Sequence, residues 1–283
     1  MHIRCILMDI DGTLLDRNWL LPPRTAQALG RAAEAGITLA LATGRPLCAL
    51  PDVLKSFKGI DYAITSNGAA ISRLPSGGRI YSQTLPPSAA DEALGVLARP
   101  LAAGLTACEA AVDGRIYCTR EYFDSPQRFG AFRRNADYVR ATRIPLDDTA
   151  RFIRENRASL DCVNAVPLPE YKGTLLTALR RGVKGVTVNA GGRLIELADE
   201  RCGKEKAAQR LLEALGISPR ETAAFGDGDS DAAMLGAVYA GVAVGTASEK
   251  CAAAARWRAP EGAERTADWI AALALNELPQ GVC

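Results

Sequence analysis

Two carboxylates, Asp9 and Asp11, follow an apolar run and precede a Gly-Thr turn in the segment Ile6-Leu7-Met8-Asp9-Ile10-Asp11-Gly12-Thr13. The run from Ile3 to Met8 reads as a buried strand. Strand alternation puts the side chains at 9 and 11 on one face at its carboxyl end, where open α/β sheets bind ligands. Phosphoryl chemistry suits such a pair, one carboxylate attacking phosphorus while the other handles a proton. Nothing inside the segment fixes which does what.

Three more segments offer complementary groups. Thr43-Gly44-Arg45 follows the apolar run Ile37 to Ala42 and precedes a helix expected to begin near Pro46; a hydroxyl and free N–H groups at a helix N-terminus suit a phosphate. Lys204 heads another expected helix, where a cation can neutralise a transferring phosphoryl group. Gly226-Asp227-Gly228-Asp229-Ser230-Asp231 follows a further apolar strand, and acids alternating in a glycine-rich loop suit a hard cation. Taken singly, Thr-Gly-Arg reads as an ordinary strand-to-helix turn and Lys204 as a solvated surface lysine, while the acid cluster fits an acidic turn and a cation site equally. Jointly they carry weight, because acid pair, hydroxyl, lysine and acid cluster come in the order one fold needs, and all but the lysine sit at strand ends that can converge on one crevice.

The elements that must position these groups alternate along the chain. Apolar runs at Ile37 to Ala42, Tyr62 to Thr65, Thr222 to Phe225 and Gly241 to Val244 read as parallel strands buried on both faces. Helical patterns lie between them at Arg24 to Ala35, Pro46 to Lys55, Lys204 to Leu215 and after Ser230. From about Pro86 the character changes. A helix (Ser88 to Ala98), a hairpin turning at Asp113-Gly114, two helix-strand units, a helix near Glu170 to Arg181 and a hairpin turning at Gly191-Gly192 form a second domain. The expected fold class is α/β, a doubly wound parallel-sheet (Rossmann-like) core of residues 1–84 and 199–283 with an inserted α/β cap domain at 85–198.

Composition narrows the function classes. The chain has 283 residues, 34 basic against 32 acidic side chains and no long single-sign block, which argues against nucleic acid or a membrane surface as partner and for a small molecule. The N-terminus shows no basic leader with a cleavable apolar segment, and no stretch is long enough to span a bilayer, so a cytoplasmic address is expected. Eight scattered cysteines without a C-x-x-C pair read as free thiols in a reducing compartment, not as zinc ligands. The single histidine, His2, sits beside the initiator, which removes Ser-His and Cys-His catalysis and leaves acid-base work to carboxylates, Lys or Tyr.

Over nearly the whole length these motifs resemble those of haloacid dehalogenase superfamily phosphatases, in the Cof-like branch that carries a large α/β cap. Asp9-Ile10-Asp11-Gly12-Thr13 is similar to the first motif, Thr43-Gly44-Arg45 to the second, Lys204 to the third and Gly226-Asp227 with Asp231 to the fourth; Ser66-Asn67-Gly68-Ala69 also resembles this branch. Glu196, eight residues before Lys204, has the branch's spacing and favours Lys204 over Lys206 as the motif lysine.

The resemblance implies roles. Asp9 attacks phosphorus to form an aspartyl-phosphate and binds Mg²⁺; Asp11 protonates the leaving oxygen, then activates water, its backbone carbonyl contacting the metal. Asp227 is the remaining direct ligand, with Asp231 close behind or water-mediated. Thr43, the Gly44 and Ile10 amides and Lys204 hold phosphoryl oxygens, with Arg45, Asn67 and Ser230 as further phosphate or substrate contacts. Two positions depart from the pattern: Ser230 stands where relatives usually carry Asn, and Glu205 where the residue after the lysine is usually small.

The expected activity is Mg²⁺-dependent hydrolysis of small phosphorylated metabolites, sugar phosphates first and FMN or pyridoxal phosphate next, by a monomer or weak homodimer. The alternative is a phosphomutase or phosphotransferase passing the same aspartyl-phosphate to a second hydroxyl; a non-catalytic phosphate-ligand sensor is the remaining class. Receiver domains also use strand-end aspartates, but lack an inserted cap and the Gly-Thr. The cap is expected to close over the site, exclude water and supply substrate contacts, Arg115, Tyr117, Arg120, Tyr122 and Lys172 being its exposed-looking candidates.

Overall fold

The computed structural model describes residues 2–260, 263–275 and 277. In chain order the strands are β1 (Cys5–Met8), β2 (Thr38–Ala42), β3 (Ile60–Thr65), β4 (Ala70–Arg73), β5 (Arg79–Ser82), β6 (Thr106–Val112), β7 (Arg115–Thr119), β8 (Arg143–Leu146), β9 (Leu160–Pro167), β10 (Val186–Gly191), β11 (Leu194–Asp199), β12 (Thr222–Gly226), β13 (Ala240–Val244) and β14 (Trp257–Ala259). They fall into two sheets belonging to two compact units. The first unit holds Met1–Arg45, Leu50–Tyr81 and Gly203–Cys283; the second holds Pro46–Ala49 and Ser82–Cys202.

In the first unit eight strands run β14-β13-β12-β1-β2-β3-β4-β5, parallel from β14 to β3. The chain leaves β1 toward β2 on one side and returns later as β12 on the other, so the order reverses at β1. That switch is where doubly wound sheets open a crevice at the carboxyl ends of their strands. The apolar runs are there because both faces are covered: Cys5 to Met8 are all fully buried, and Leu7, Ala40, Ile64 and Ala224 pack with Leu211 and Leu212 of the helix Lys204–Leu215. β4 runs antiparallel to β3.

The helix expected over Pro46 to Lys55 does not form. A short 3₁₀ turn, Leu47–Ala49, is followed by a separate four-residue helix, Asp52–Lys55. Pro51 lies between them, lacks an N–H and disfavours helical backbone at the residue before it. Pro46–Ala49 instead groups with the second unit, where the Cys48 amide donates to Gly114 O (2.8 Å).

The second unit carries a six-stranded sheet, β10-β11-β9-β6-β7-β8, antiparallel except for the β7–β8 pair. Asp113 and Gly114, both at positive φ, make the two-residue turn between β6 and β7. The β10–β11 turn sits one residue later than expected, at Gly192-Arg193, because Gly191 pairs with Leu194. One face packs under the helices Pro87–Ala102, Thr149–Glu155 and Lys172–Gly182 through Cys108, Ala110, Val163, Ala165 and Leu197. The opposite face buries a polar group: Arg143 Nε donates to Glu109 Oε1 (2.8 Å), and Asn164 Nδ2 to Glu109 Oε2 (3.1 Å).

Among the described residues no helix is long and apolar enough to cross a membrane. The seven described cysteines are free thiols; Cys283 lies outside the described residues.

Candidate active site

The first unit brings the sequence-predicted groups together at its switch point. Asp9 directly follows β1, Thr43 follows β2 and Asp227 follows β12, and the parallel registers Met8↔Phe225 and Met8↔Leu41 keep these three ends level. The ladder extends one residue beyond β1, since the Asp9 amide donates to Phe225 O (3.0 Å). Lys204 arrives from the head of its helix, and Gly68 and Gly203 let its backbone approach. A Cβ at Gly68, whose φ is +94°, would lie 2.3 Å from Gly203 O.

Lys204 is the hub of the group. Its buried Nζ donates to Asp9 Oδ1 (2.6 Å) and Asp231 Oδ1 (2.7 Å), whereas Lys206 is exposed. Asp231 is held from both sides, because its Oδ2 accepts from the Asp227 amide (3.2 Å) and the Gly228 amide (2.9 Å). Those bonds fix the loop and so the direction of Asp227, whose Oδ1 takes the Thr13 hydroxyl (3.3 Å). Gly12 is required here: at φ +87° a Cβ would stand 2.3 Å from Asp227 Oδ2.

Asp9, Asp227 and Asp231 each offer an oxygen within 4.8 Å of the others. Three carboxylates against one ammonium leave two negative charges in a buried place, and an all-oxygen donor set of that charge fits a hard divalent cation. The electrostatics reflect burial first and that excess of charge second. Burial pushes the Asp9 carboxyl up to about 7, Lys204 pulling it down and Asp231 and Asp227 pushing it further up. Asp227 is raised as well, by burial first and then by Asp231. Burial opposes the charge on Lys204, but Asp9 and Asp231 outweigh it and hold the ammonium pKa above its ordinary value.

Asp11 lies outside this cluster. Its exposed carboxylate takes a forked pair of bonds from Arg45, Nη2 to Oδ1 (2.5 Å) and Nε to Oδ2 (2.7 Å), so the guanidinium expected at a phosphate is engaged by the second aspartate. No helix starts at Thr43-Gly44-Arg45, and the helix-terminus reason for phosphate binding there falls with it. Thr43 is buried, its Oγ1 accepting from the Arg45 amide (3.1 Å). Gly44 is exposed and abuts the Asn67 side chain, which an added Cβ would meet at 3.1 Å. Ile10 is wholly buried between the two aspartates, and Ser230 is exposed, outside the hydrogen-bonded group.

Two features escaped the sequence reading. Ser66, Asn67 and Gly68 all have positive φ (49°, 50° and 94°), and the Ser66 hydroxyl is buried without a hydrogen-bond partner. Trp19 sits at φ 59° in a tight turn with the Arg45 guanidinium 5.3 Å from its ring centroid. A tryptophan in a turn just before Leu-Leu-Pro-Pro was the readable signal. In the second unit four of the expected substrate contacts have partners within the protein. Tyr122 is buried with its hydroxyl accepting from Arg193 (3.0 Å), Tyr117 packs on Phe152, Arg120 pairs with Asp147 and Lys172 donates to Gly192 O.

An α/β sheet with an acid–lysine cluster at its switch point defines a class of hydrolytic and group-transfer enzymes, and comparison with known proteins resolves it. Residues 6–265 match the family of haloacid dehalogenase-like hydrolases. The chain belongs to that family and is an enzyme of its hydrolase class. It is 28% identical over 240 residues to an HMP-PP phosphatase of Klebsiella pneumoniae, covering 84% of this chain and 83% of that protein. It is 25% identical over 264 residues to a phosphoglycolate phosphatase of Methanoculleus marisnigri, covering 92% of each. In fold it resembles a haloacid dehalogenase-like hydrolase from Bacteroides thetaiotaomicron, with TM-score 0.79 and 23% identity over 95% of this chain and 98% of that one.

Proposed function

We propose that the protein is a Mg²⁺-dependent phosphatase of small phosphorylated metabolites working through an aspartyl-phosphate on Asp9. The observation that carries this reading is the Lys204 ammonium bridging Asp9 and Asp231 at 2.6 and 2.7 Å beside Asp227. The names of the phosphatase relatives support it.

Asp9 attacks phosphorus in line with the leaving oxygen. The Asp9 O–P bond forms as the P–O bond to the leaving group breaks, and Asp11 delivers a proton to the departing oxygen. Asp11 then takes a proton from water, whose oxygen attacks the same phosphorus; the Asp9–P bond breaks and inorganic phosphate leaves. Lys204 neutralises charge on the equatorial oxygens and keeps Asp9 aimed, while the Thr43 hydroxyl and the Gly44 and Ile10 amides take the remaining oxygens. Mg²⁺, held by Asp9, Asp227 and the Asp11 carbonyl with Asp231 bracing the loop, would supply Lewis-acid stabilisation of charge on phosphorus-bound oxygen. Arg45 releases Asp11 or shares it with the phosphate, since its fork fits either anion. The free thiols fit a reducing, cytoplasmic setting.

The test is phosphate release from a metabolite panel by wild type and Asp9→Asn, with and without Mg²⁺. Release that requires both Asp9 and Mg²⁺ is the expected result. Activity surviving Asp9→Asn removes the nucleophile assignment.

A further inference from the structure

The first unit has an apolar groove that the reaction outlined above leaves unused. It measures roughly 630 Å³ and is lined by Trp19, Leu20, Pro22, Pro23 and Val53, with Asp16 as its one charged wall. Leu20 and Val53 are 63% and 48% exposed, two of the few large apolar side chains open to water among the described residues. Solvent exposure of that kind, gathered in one concavity, marks a binding surface.

A tight turn over residues 16–20 sets the position of the indole. Asp16 Oδ1 accepts from the Asn18 and Leu20 amides (2.7 and 2.9 Å), while the Asp16 amide donates to Leu20 O and the Trp19 amide to Asp16 O (both 2.9 Å). This closes a tight turn and forces Trp19 to φ 59°, a left-handed conformation that suits glycine or asparagine and strains a bulky side chain. Trp19 keeps this backbone with its indole only partly exposed. Its placement has a second consequence, because the same Arg45 guanidinium that stacks 5.3 Å from the indole centroid grips Asp11 at 2.5 and 2.7 Å. Trp19 thus links the groove, through Arg45, to the group that hands a proton to the leaving oxygen.

We infer that Trp19, Leu20 and Val53 form a leaving-group subsite selecting phosphate esters of planar, aromatic or heteroaromatic alcohols over those of sugars and polyols. The inference rests on the phosphatase reading of Asp9 and Asp11. An aromatic ring gains stacking on the indole and burial against Leu20 and Val53. A polyol gains nothing comparable, since the only polar wall is Asp16, whose Oδ1 already accepts two amides, and hydroxyls stripped of water there go unpaired. The groove thus reverses the order of substrates expected from sequence, placing flavin- and pyridoxal-like esters ahead of sugar phosphates.

The experiment compares kcat/KM for pyridoxal 5′-phosphate and glucose 6-phosphate in wild type, Trp19→Gly, Trp19→Phe and Val53→Ser. Wild type should prefer the aromatic ester. Trp19→Gly should lose about ten-fold on it, the worth of one good aromatic contact. Glucose 6-phosphate turnover should stay nearly unchanged, Trp19→Phe should keep most of the preference, and Val53→Ser should weaken it. The melting temperature of Trp19→Gly should fall modestly, the lost packing of the partly covered indole outweighing the relieved backbone strain. Equal losses on both esters, or none on either, overturn the subsite; if Trp19→Gly does not fold, Trp19→Phe and Val53→Ser decide by the same ratio. Absence of hydrolysis from every ester in wild type would instead sink the phosphatase reading. Calorimetric binding of the two esters then judges the groove by itself: an aromatic preference weakened by Val53→Ser upholds it, and equal affinities reject it.

Discussion

Lys204 Nζ stands 2.6 Å from Asp9 Oδ1, both side chains buried, and this contact ties the head of the helix Lys204–Leu215 to the carboxyl end of β1 across 195 residues of sequence. The same ammonium holds Asp231. Removing it in Lys204→Met leaves three neighbouring carboxylates without a cation. We expect phosphate release to fall by about 10²–10³, as for loss of one preorganised charge partner. Breaking a buried pair costs about 3–5 kcal/mol when the orphaned charge stays ionised, so the stability loss should be large at pH 8. At pH 5 the carboxylates can take protons instead, and the loss should shrink. Denaturant titrations at the two pH values measure the difference; equal losses would mean that Lys204 acts only by packing.

Asp9 gives the second pH signature. Burial, with Asp231 and Asp227, raises its carboxyl from an ordinary 3.8 to about 7 in the metal-free protein. A folded-state value above the unfolded one means that the neutral acid stabilises the fold fully below about pH 4 and that this contribution is lost as pH rises through 7. Asp9→Asn should therefore raise the melting temperature in a chelator at pH 8 and change it little at pH 5. Added Mg²⁺ must displace that proton, so its stabilisation of wild type should grow from pH 5.5 to pH 8 and be largely absent in Asp9→Asn. A Mg²⁺ shift that is equal at both pH values and survives the substitution would place the cation elsewhere.

Two glycines separate geometry of the site from geometry of the fold. An alanine at Gly12 is strained at φ +87° and aims its Cβ at the Asp227 carboxylate, which can swing aside; at Gly68 it meets the Gly203 backbone, which cannot. Gly12→Ala should cost about 1–3 kcal/mol and reduce activity out of proportion, with a raised Mg²⁺ requirement. Gly68→Ala should be the more damaging to melting temperature. Thermal melts alongside Mg²⁺ titrations of activity distinguish the two.

How far the sequence revealed this arrangement depended on whether the signal was local. The strands β1, β2, β12 and β13 were legible because runs such as Cys5 to Met8 and Ala240 to Val244 are buried on both faces and lack polar interruptions. Asp9, Lys204, Asp227 and Asp231 were legible because they stand one step beyond such runs or at a helix head. The short strands β4 and β5 and the three-residue β14 carry too little pattern to read, and Pro51 was overlooked as the break in an otherwise helical stretch. The forked bond of Arg45 to Asp11 and the seating of Glu109 between Arg143 and Asn164 join residues 34 to 55 positions apart, and no local periodicity encodes such partners.

Glu109 tests the second unit by itself. It is fully buried and its Oε1 takes Arg143 Nε at 2.8 Å, while the Arg143 side chain lies over the Tyr138 ring at 4.7 Å. Burial opposes the charge of Arg143, but Glu109 more than offsets it and raises the guanidinium pKa further. Arg143→Met should destabilise the protein by about 3–5 kcal/mol by leaving a buried carboxylate alone, and adding Glu109→Gln should restore part of that. A double mutant no more stable than Arg143→Met would assign the loss to the Tyr138 packing instead.

Arg45 distinguishes positioning of the acid from recognition of the leaving group. Its two parallel bonds to Asp11 need the planar fork of a guanidinium, which lysine cannot reproduce. Arg45→Lys should therefore lower kcat by about 10–100-fold for aromatic and sugar esters alike, the usual range for impaired proton transfer by a positioned acid. The loss should diminish for esters whose alcohol is acidic enough to depart without a proton, because Asp11 is then dispensable in the first step. Plotting kcat against leaving-group pKa for a series of phosphate esters measures this: Arg45→Lys should steepen the dependence. A parallel downward displacement at every leaving group would show that Arg45 serves the phosphate itself, as the sequence first suggested, and not the aspartate it holds in the resting structure.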